Sequence, residues 1–107
     1  MTVANPFVAL NNTVTLALGG TTVLTVDTSL YSSGAFLVRA DSISLLTTVY
    51  LQLAPVNTAS YFINQGSQSG LLLGGKYLFV PPVPMRYARI YATGVGSVLT
   101  AYYIGQI

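Results

Sequence analysis

Glycine and proline cut this chain into short pieces. Breakers stand at Gly19-Gly20, Gly74-Gly75, Pro81-Pro82-Val83-Pro84 and Gly94-Val95-Gly96. The segments between them are rich in strand formers: among 107 residues, Val, Ile and Thr total 29, and Tyr plus Phe add 12. Branched and aromatic side chains suit a pleated, half-buried surface. Strong helix formers other than Leu and Ala are nearly absent. The chain is therefore held to short strands joined by tight turns, with no helix longer than one turn.

Alternation and turn residues place the strands. Thr13 to Leu18 alternates, with Val14, Leu16 and Leu18 on one face. Gly19-Gly20 follows as a two-residue hairpin turn, and Thr21 to Val26 returns with Leu24 and Val26 inward. Asp27 to Gly34 reads as a loop and Ala35 to Ala40 as the third strand. Thr47 to Ala54 sets Val49, Leu51 and Leu53 against Thr48, Tyr50 and Gln52. Pro55-Val56-Asn57 turns the chain into Ser60 to Asn64, and Gln65 to Gly70 is expected at a loop tip. Leu71 to Leu73 and Tyr77 to Val80 flank Gly74-Gly75, a second hairpin signal. The proline segment runs extended. Met85 to Ala92 and Val98 to Ile104 are the last strands, joined by a hairpin loop at Thr93 to Ser97. The expected fold is all-β, an antiparallel β-sandwich or jelly roll of eight or nine short strands, with a small closed barrel as the alternative. A chain of this length supports one core. Residues 13–107 read as a single sandwich domain and residues 1–12 as an N-terminal arm or edge strand.

Charge is scarce. Asp27, Arg39, Asp41, Lys76, Arg86 and Arg89 are the only charged side chains, 6% of the chain, against about 25% in an average domain. Mean hydropathy is +0.64, yet no run of about 18 apolar residues exists to span a bilayer as a helix. Met1 to Leu10 has neither a basic region nor a long apolar stretch of the secretory kind. A free monomer keeps itself soluble with interspersed charge; a chain this neutral is expected to be covered by partners. Two strands strengthen that expectation. Val98 to Ile104 carries Val98, Tyr102 and Ile104 on one face and Leu99, Ala101 and Tyr103 on the other. Met85 to Ala92 carries Met85, Tyr87 and Tyr91 against Ala88 and Ile90. A sandwich strand with one wet face is polar on that face, so a second subunit is the expected cover.

No catalysis is expected, because the usual catalytic residues are scarce. The sequence contains no histidine, no cysteine and no glutamate, which removes the usual nucleophile–base pairs and thiolate or imidazole metal sites. Asp27 precedes Thr28-Ser29, the setting of an Asx turn. Asp41 lies two residues from Arg39 and is expected to pair with it. Lys76 follows a glycine turn, a poor place to bury and activate an amine. Gly94-Val95-Gly96 lacks the third glycine and the helix of a dinucleotide site. Arg86 and Arg89 point to opposite strand faces, so no cationic stripe for nucleic acid forms. No cofactor, metal, nucleic acid or membrane is expected. Eight tyrosines are assigned to core and interface, with a sugar-stacking platform as the alternative. The interface candidates are Pro6 and Phe7 in a stiff apolar arm, Pro81, Pro82 and Pro84, and Tyr87, Arg89, Tyr91 and Tyr103, with Arg89 stacking on tyrosine or bonding across an interface.

The second half carries a recognisable layout: the strand Val49 to Leu53, Tyr61-Phe62, a small-residue loop, Gly74-Gly75 and a proline segment. Arg86-Tyr87-Ala88-Arg89-Ile90 then leads through Gly94 to Leu99-Thr100-Ala101-Tyr102. Over roughly residues 35 to 105 this resembles the small β-sandwich proteins of tailed bacteriophage particles, especially capsid decoration (cement) proteins. The resemblance implies a homotrimer that sits on a capsid and clamps neighbouring subunits of the major capsid protein. It implies a virion location after synthesis in the host cytoplasm. A carbohydrate-binding or fibre-head adhesion module is the second reading, and a surface-layer or pilus piece the third.

Overall fold

The computed structural model describes residues 7–107. It is all-β, with eight strands: β1 (Phe7–Thr15), β2 (Thr21–Asp27), β3 (Ser33–Ser42), β4 (Thr48–Ala54), β5 (Ile63–Ser69), β6 (Lys76–Phe79), β7 (Tyr87–Thr93) and β8 (Val98–Gln106). Two single 3-10 turns, Thr28–Leu30 and Ala59–Tyr61, interrupt the loops. The front sheet has the order β1-β8-β3-β6 and the back sheet β2-β7-β4-β5, all pairs antiparallel. Only β4 and β5 are neighbours both in sequence and in a sheet. Every other connection crosses between the sheets, which makes the sandwich a jelly roll.

This topology corrects the three hairpins read from glycine. Gly19-Gly20, Gly74-Gly75 and Gly94 to Ser97 are corners that pass from one sheet to the other. Glycine is needed there for the same conformational reason as in a hairpin, so the residue type does not tell the two apart. At Gly94, φ is +127° and a Cβ would come within 2.6 Å of the Thr47 hydroxyl and 3.0 Å of the Leu46 carbonyl oxygen. Leu71 to Leu73 forms no strand. Gln65 to Ser69, expected in a loop, belongs to β5; an edge strand wetted on both faces needs no apolar alternation. Ser60 and Tyr61 lie in a 3-10 turn instead of a strand. In β2, a bulge between Thr22 and Leu24 shifts the inward position from Leu24 to Val23. Residues 7–12 belong to β1, which continues without interruption to Thr15.

The core is one cluster between the sheets. Val49, Leu51 and Leu53 of β4 point inward as alternation requires, against Phe36 and Val38 of β3, Ala88 and Ile90 of β7, and Leu99 and Ala101 of β8. Burying each large aliphatic or aromatic side chain contributes about 1.5–3 kcal/mol before chain entropy opposes it. The Tyr103 ring sits against Phe36 at 4.8 Å and Tyr31 at 5.3 Å between centroids.

Candidate functional site

Strand direction sorts the loops. Each odd-numbered strand ends at one pole of the sandwich, so the corners 16–20, 43–47, 70–75 and 94–97 gather there. Their backbones are bonded to one another. Leu16 N–H donates to Ser97 O (2.8 Å), Gly96 N–H to Leu16 O (2.9 Å), and Leu71 N–H to Thr47 O (3.4 Å). A buried pair of hydroxyls fixes the centre: Thr47 Oγ1 donates to Leu45 O, and Ser97 Oγ accepts from Ser44 N–H at 2.9 Å. The proton of Ser97 therefore goes to Thr47 Oγ1, 2.8 Å away.

With the polar groups turned inward, aliphatic side chains project outward. Leu16 and Leu71 anchor in the core, while Leu18 (88% exposed), Leu46 (77%), Leu72 (73%), Leu73 (72%) and Leu45 (53%) face solvent. These four corners contain no charged residue. Isolated exposed leucines are ordinary; an uncharged group on adjoining loops is the candidate interaction surface. Two tyrosine hydroxyls brace the pole from below: Tyr77 Oη accepts from Leu72 N–H (3.0 Å), and Tyr91 Oη donates to Gly19 O (2.8 Å).

Sequence reasoning singled out none of these leucines for a surface role. It set Leu18 beside Val14 and Leu16 on one strand face, whereas β1 ends at Thr15 and Leu18 stands exposed beyond it. The available signal was consecutive apolar residues, Leu45-Leu46 and Leu71-Leu72-Leu73, between turn formers. Two neighbours on one extended chain cannot both face the core, so a run inside a corner leaves some of its members outside.

The sequence-derived candidates are scattered. Pro6 lies outside the described residues. Phe7 opens β1 on the outer face of the front sheet, 68% exposed. Pro81, Pro82 and Pro84 line a cleft of about 640 Å³ at the opposite pole, with Val80, Val83, Met85 and Tyr31. Thr28 Oγ1 donates to Met85 O beside it. Tyr87, Arg89 and Tyr91 lie on the outer face of the back sheet. Tyr103 is a correction: it is 2% exposed, a core ring whose register in β8 turns it inward, and burial raises its hydroxyl above the ordinary tyrosine range.

The two outer faces differ in chemistry. On the front sheet, Ile104, Leu37, Leu78 and Tyr102 adjoin across strands, and Leu37, Tyr102 and Ile104 line a shallow groove of about 300 Å³ with Arg39 and Lys76. Toward the leucine pole that face turns polar. Arg39 Nε donates to Asp41 Oδ1 (2.6 Å), Thr100 Oγ1 donates to Asp41 Oδ2 (2.5 Å), and Thr100 accepts in turn from Thr13. The Thr100 bond, ahead of Arg39, lowers the Asp41 carboxyl below its usual range against the opposing effect of burial. On the back sheet, Arg89 lies 4.0 Å from the Phe62 ring centroid and 5.2 Å from that of Tyr91. Its Nε donates to Gln52 Oε1 (2.7 Å), and Gln52 Nε2 donates to Asn64 Oδ1 (2.7 Å). The back face of β7 is thus polar-aromatic where an apolar second face was expected.

Both carboxylates are engaged structurally. Asp27 Oδ1 accepts from the backbone and hydroxyl of Ser29, closing the Asx turn, and Oδ2 stands 3.5 Å from Arg86. The Ser29 bonds are the chief cause of its lowered carboxyl, with Arg86 adding less.

No family model matches the chain. No curated protein matches it. Solved structures share the fold. The chain is similar to the SPBc2 prophage-derived protein YomS, at 12% identity and TM-score 0.61, with 100% of both chains covered. It is similar to the protein of the Bacillus endospore appendages, described as a family of disulfide-linked pili, at 11% identity and TM-score 0.58, covering 100% of this chain and 96% of that one. It is also similar to PirA, at 16% identity and TM-score 0.58, covering 92% and 93%. At such identities the likeness establishes the fold alone.

Proposed function

We propose that the chain is a non-enzymatic structural subunit of a virus particle, a capsid decoration protein that binds the assembled shell as a homo-oligomer and reinforces it. The observation that carries this reading is the uncharged leucine pole. Covering one exposed leucine yields about 1.5–3 kcal/mol before the costs of association. One pole makes a weak contact. Several poles joined in an oligomer grip firmly, because later contacts form at high effective concentration. Few charges and two structurally engaged carboxylates support a non-catalytic role. A fold shared with a prophage-derived protein and a pilus protein supports the particle or appendage setting. These 107 residues contain no cysteine, so they form no disulfide of the kind named for those pili.

The test mixes purified protein with undecorated shells from its own source and measures co-sedimentation and shell melting temperature. Binding to assembled shells above unassembled coat subunits, little changed by salt, is expected. The Leu46→Ser/Leu72→Ser double variant should lose binding while keeping its own melting temperature within a few degrees. No binding by the unaltered protein, or equal affinity for free coat subunits, contradicts the reading.

The back face favours one second reading, a carbohydrate-binding or fibre-head module. Tyr50 and Tyr91 lie 6.5 Å apart there, beside the Arg89–Gln52–Asn64 chain, and rings with amides are what sugar recognition uses. A glycan array separates the two, since Arg89→Ala should abolish glycan binding and leave shell binding intact.

A further inference from the structure

A sandwich with two open sheets has four edges, and three of them are blunted. On the back sheet, β2 carries a bulge at Val23 and ends in Asp27, and Asn12 Nδ2 already occupies its Val23 carbonyl (2.9 Å). At the far side β5 is strongly polar, and its pairing with β4 is broken by a bulge. On the front sheet β6 has four residues, begins with Lys76 and runs into Pro81-Pro82. These are the ordinary devices against strand addition. Among the described residues, the β1 strand itself has none of them, although Pro6 precedes it in the sequence. Its nine residues, Phe7 to Thr15, contain no charge and no proline, and they pair with β8 through nine consecutive partners without a shift.

We infer that β1 pairs with β1 of a second copy, antiparallel about Asn11, joining two front sheets into one of eight strands. This rests on the reading that the chain self-associates and does not depend on what it decorates. Four features favour a second copy as occupant. Self-pairing about Asn11 opposes Phe7 to Thr15, Val8 to Val14 and Ala9 to Thr13, so no charge meets a charge. All nine residues of each strand take part, giving about eight to ten new ladder hydrogen bonds. Val8, Leu10 and Val14, half-buried in one copy, gain cover from the neighbouring strand. Directly opposed residues in an antiparallel ladder share a face, so the two-fold axis stands normal to the sheet. Both apolar front faces then lie on the same side of the dimer.

The arrangement has a mechanical consequence. Antiparallel pairing points the two leucine poles in opposite directions, at the two ends of a body whose protomer is 50 Å long. A dimer of this form is a staple with a grip at each end, suited to bridging neighbouring subunits of a shell. A two-fold contact also generates even copy numbers, a departure from the trimer that the decoration-protein resemblance implies.

The test uses the absence of native cysteine. Asn11→Cys should form a disulfide-linked dimer on mild oxidation, since opposed strand positions lie within disulfide range, while Thr25→Cys on β2 should not. Asn11→Lys should halve the mass of the smallest stable species by opposing two cations. Asn11→Asp should do the same, and mixing the two should restore the mass. In the unaltered protein, the alternate β1 amides that do not bond β8 should be protected from hydrogen exchange. A closed trimer with no even-numbered species, Asn11→Lys at unaltered mass, or no Asn11→Cys cross-link overturns the inference. Shell binding by the same material would leave the proposed function standing. A cross-linking dimer that ignores shells would do the reverse.

Discussion

At the residue scale, the few polar side chains inside or beside the core are organised by single protons. Ser97 is the tightest case, fully buried with its hydroxyl committed to Thr47 and accepting from Ser44 N–H. Ser97→Ala orphans that N–H and should cost about 1–3 kcal/mol, read as a lowered denaturant midpoint with unchanged slope. Asp41→Ala removes the acceptor of Arg39 and Thr100 and should cost about 1 kcal/mol, modest because the pair reaches solvent. The pH dependence follows from the carboxyls. Both aspartates have folded pKa values lowered from 3.8. Their contribution is therefore present above that value and lost as pH falls through the lower folded values. Tyr103 has the opposite shift, so its contribution is full below about pH 10 and lost as pH rises through its folded value. With no histidine, melting temperature should be flat from about pH 5 to 9 and fall on both sides, which thermal scans check directly. The Arg39–Asp41 pair and the Asp27 turn were legible in the sequence, because residues two apart on a strand share a face and Asx turns are local. The Thr100 and Ser97 contacts were not, since they join residues 59 and 53 apart.

At the element scale, glycine at the corners decides whether the chain can pass between sheets. Gly94→Ala combines a φ of +127° with contact against the Thr47–Leu46 backbone, and should destabilise by about 1–3 kcal/mol or more. Gly70→Ala, at φ +65° with nothing near its Cβ, should cost less, and paired melts separate the clash from the backbone strain. Period-two alternation revealed β4 almost residue for residue, because both of its neighbours are in the sheet and its inner face meets the core. It failed at β5, whose residues are wet on both sides, and at β2, where a bulge inserts one residue and resets the faces. Sheet membership was hidden throughout: a tight turn looks the same whether it closes a hairpin or turns a jelly-roll corner.

At the scale of the whole molecule, six charges and a leucine-tipped pole are what the proposed assembly rests on. The expectation of partners came from composition together with the two strands read as apolar on both faces. The location of the surface did not follow from composition, because it arises only when four corners distant in sequence meet at one pole. Contacts of this kind are apolar, so the assembled state should persist from low to about 0.5 M salt, where screening abolishes charge-based contacts. Light scattering after size exclusion, at micromolar protein, decides whether the chain self-associates. A mass at an even multiple of 11.3 kDa is expected, and a sharp monomer peak at 11.3 kDa overturns the self-association on which both proposals rest.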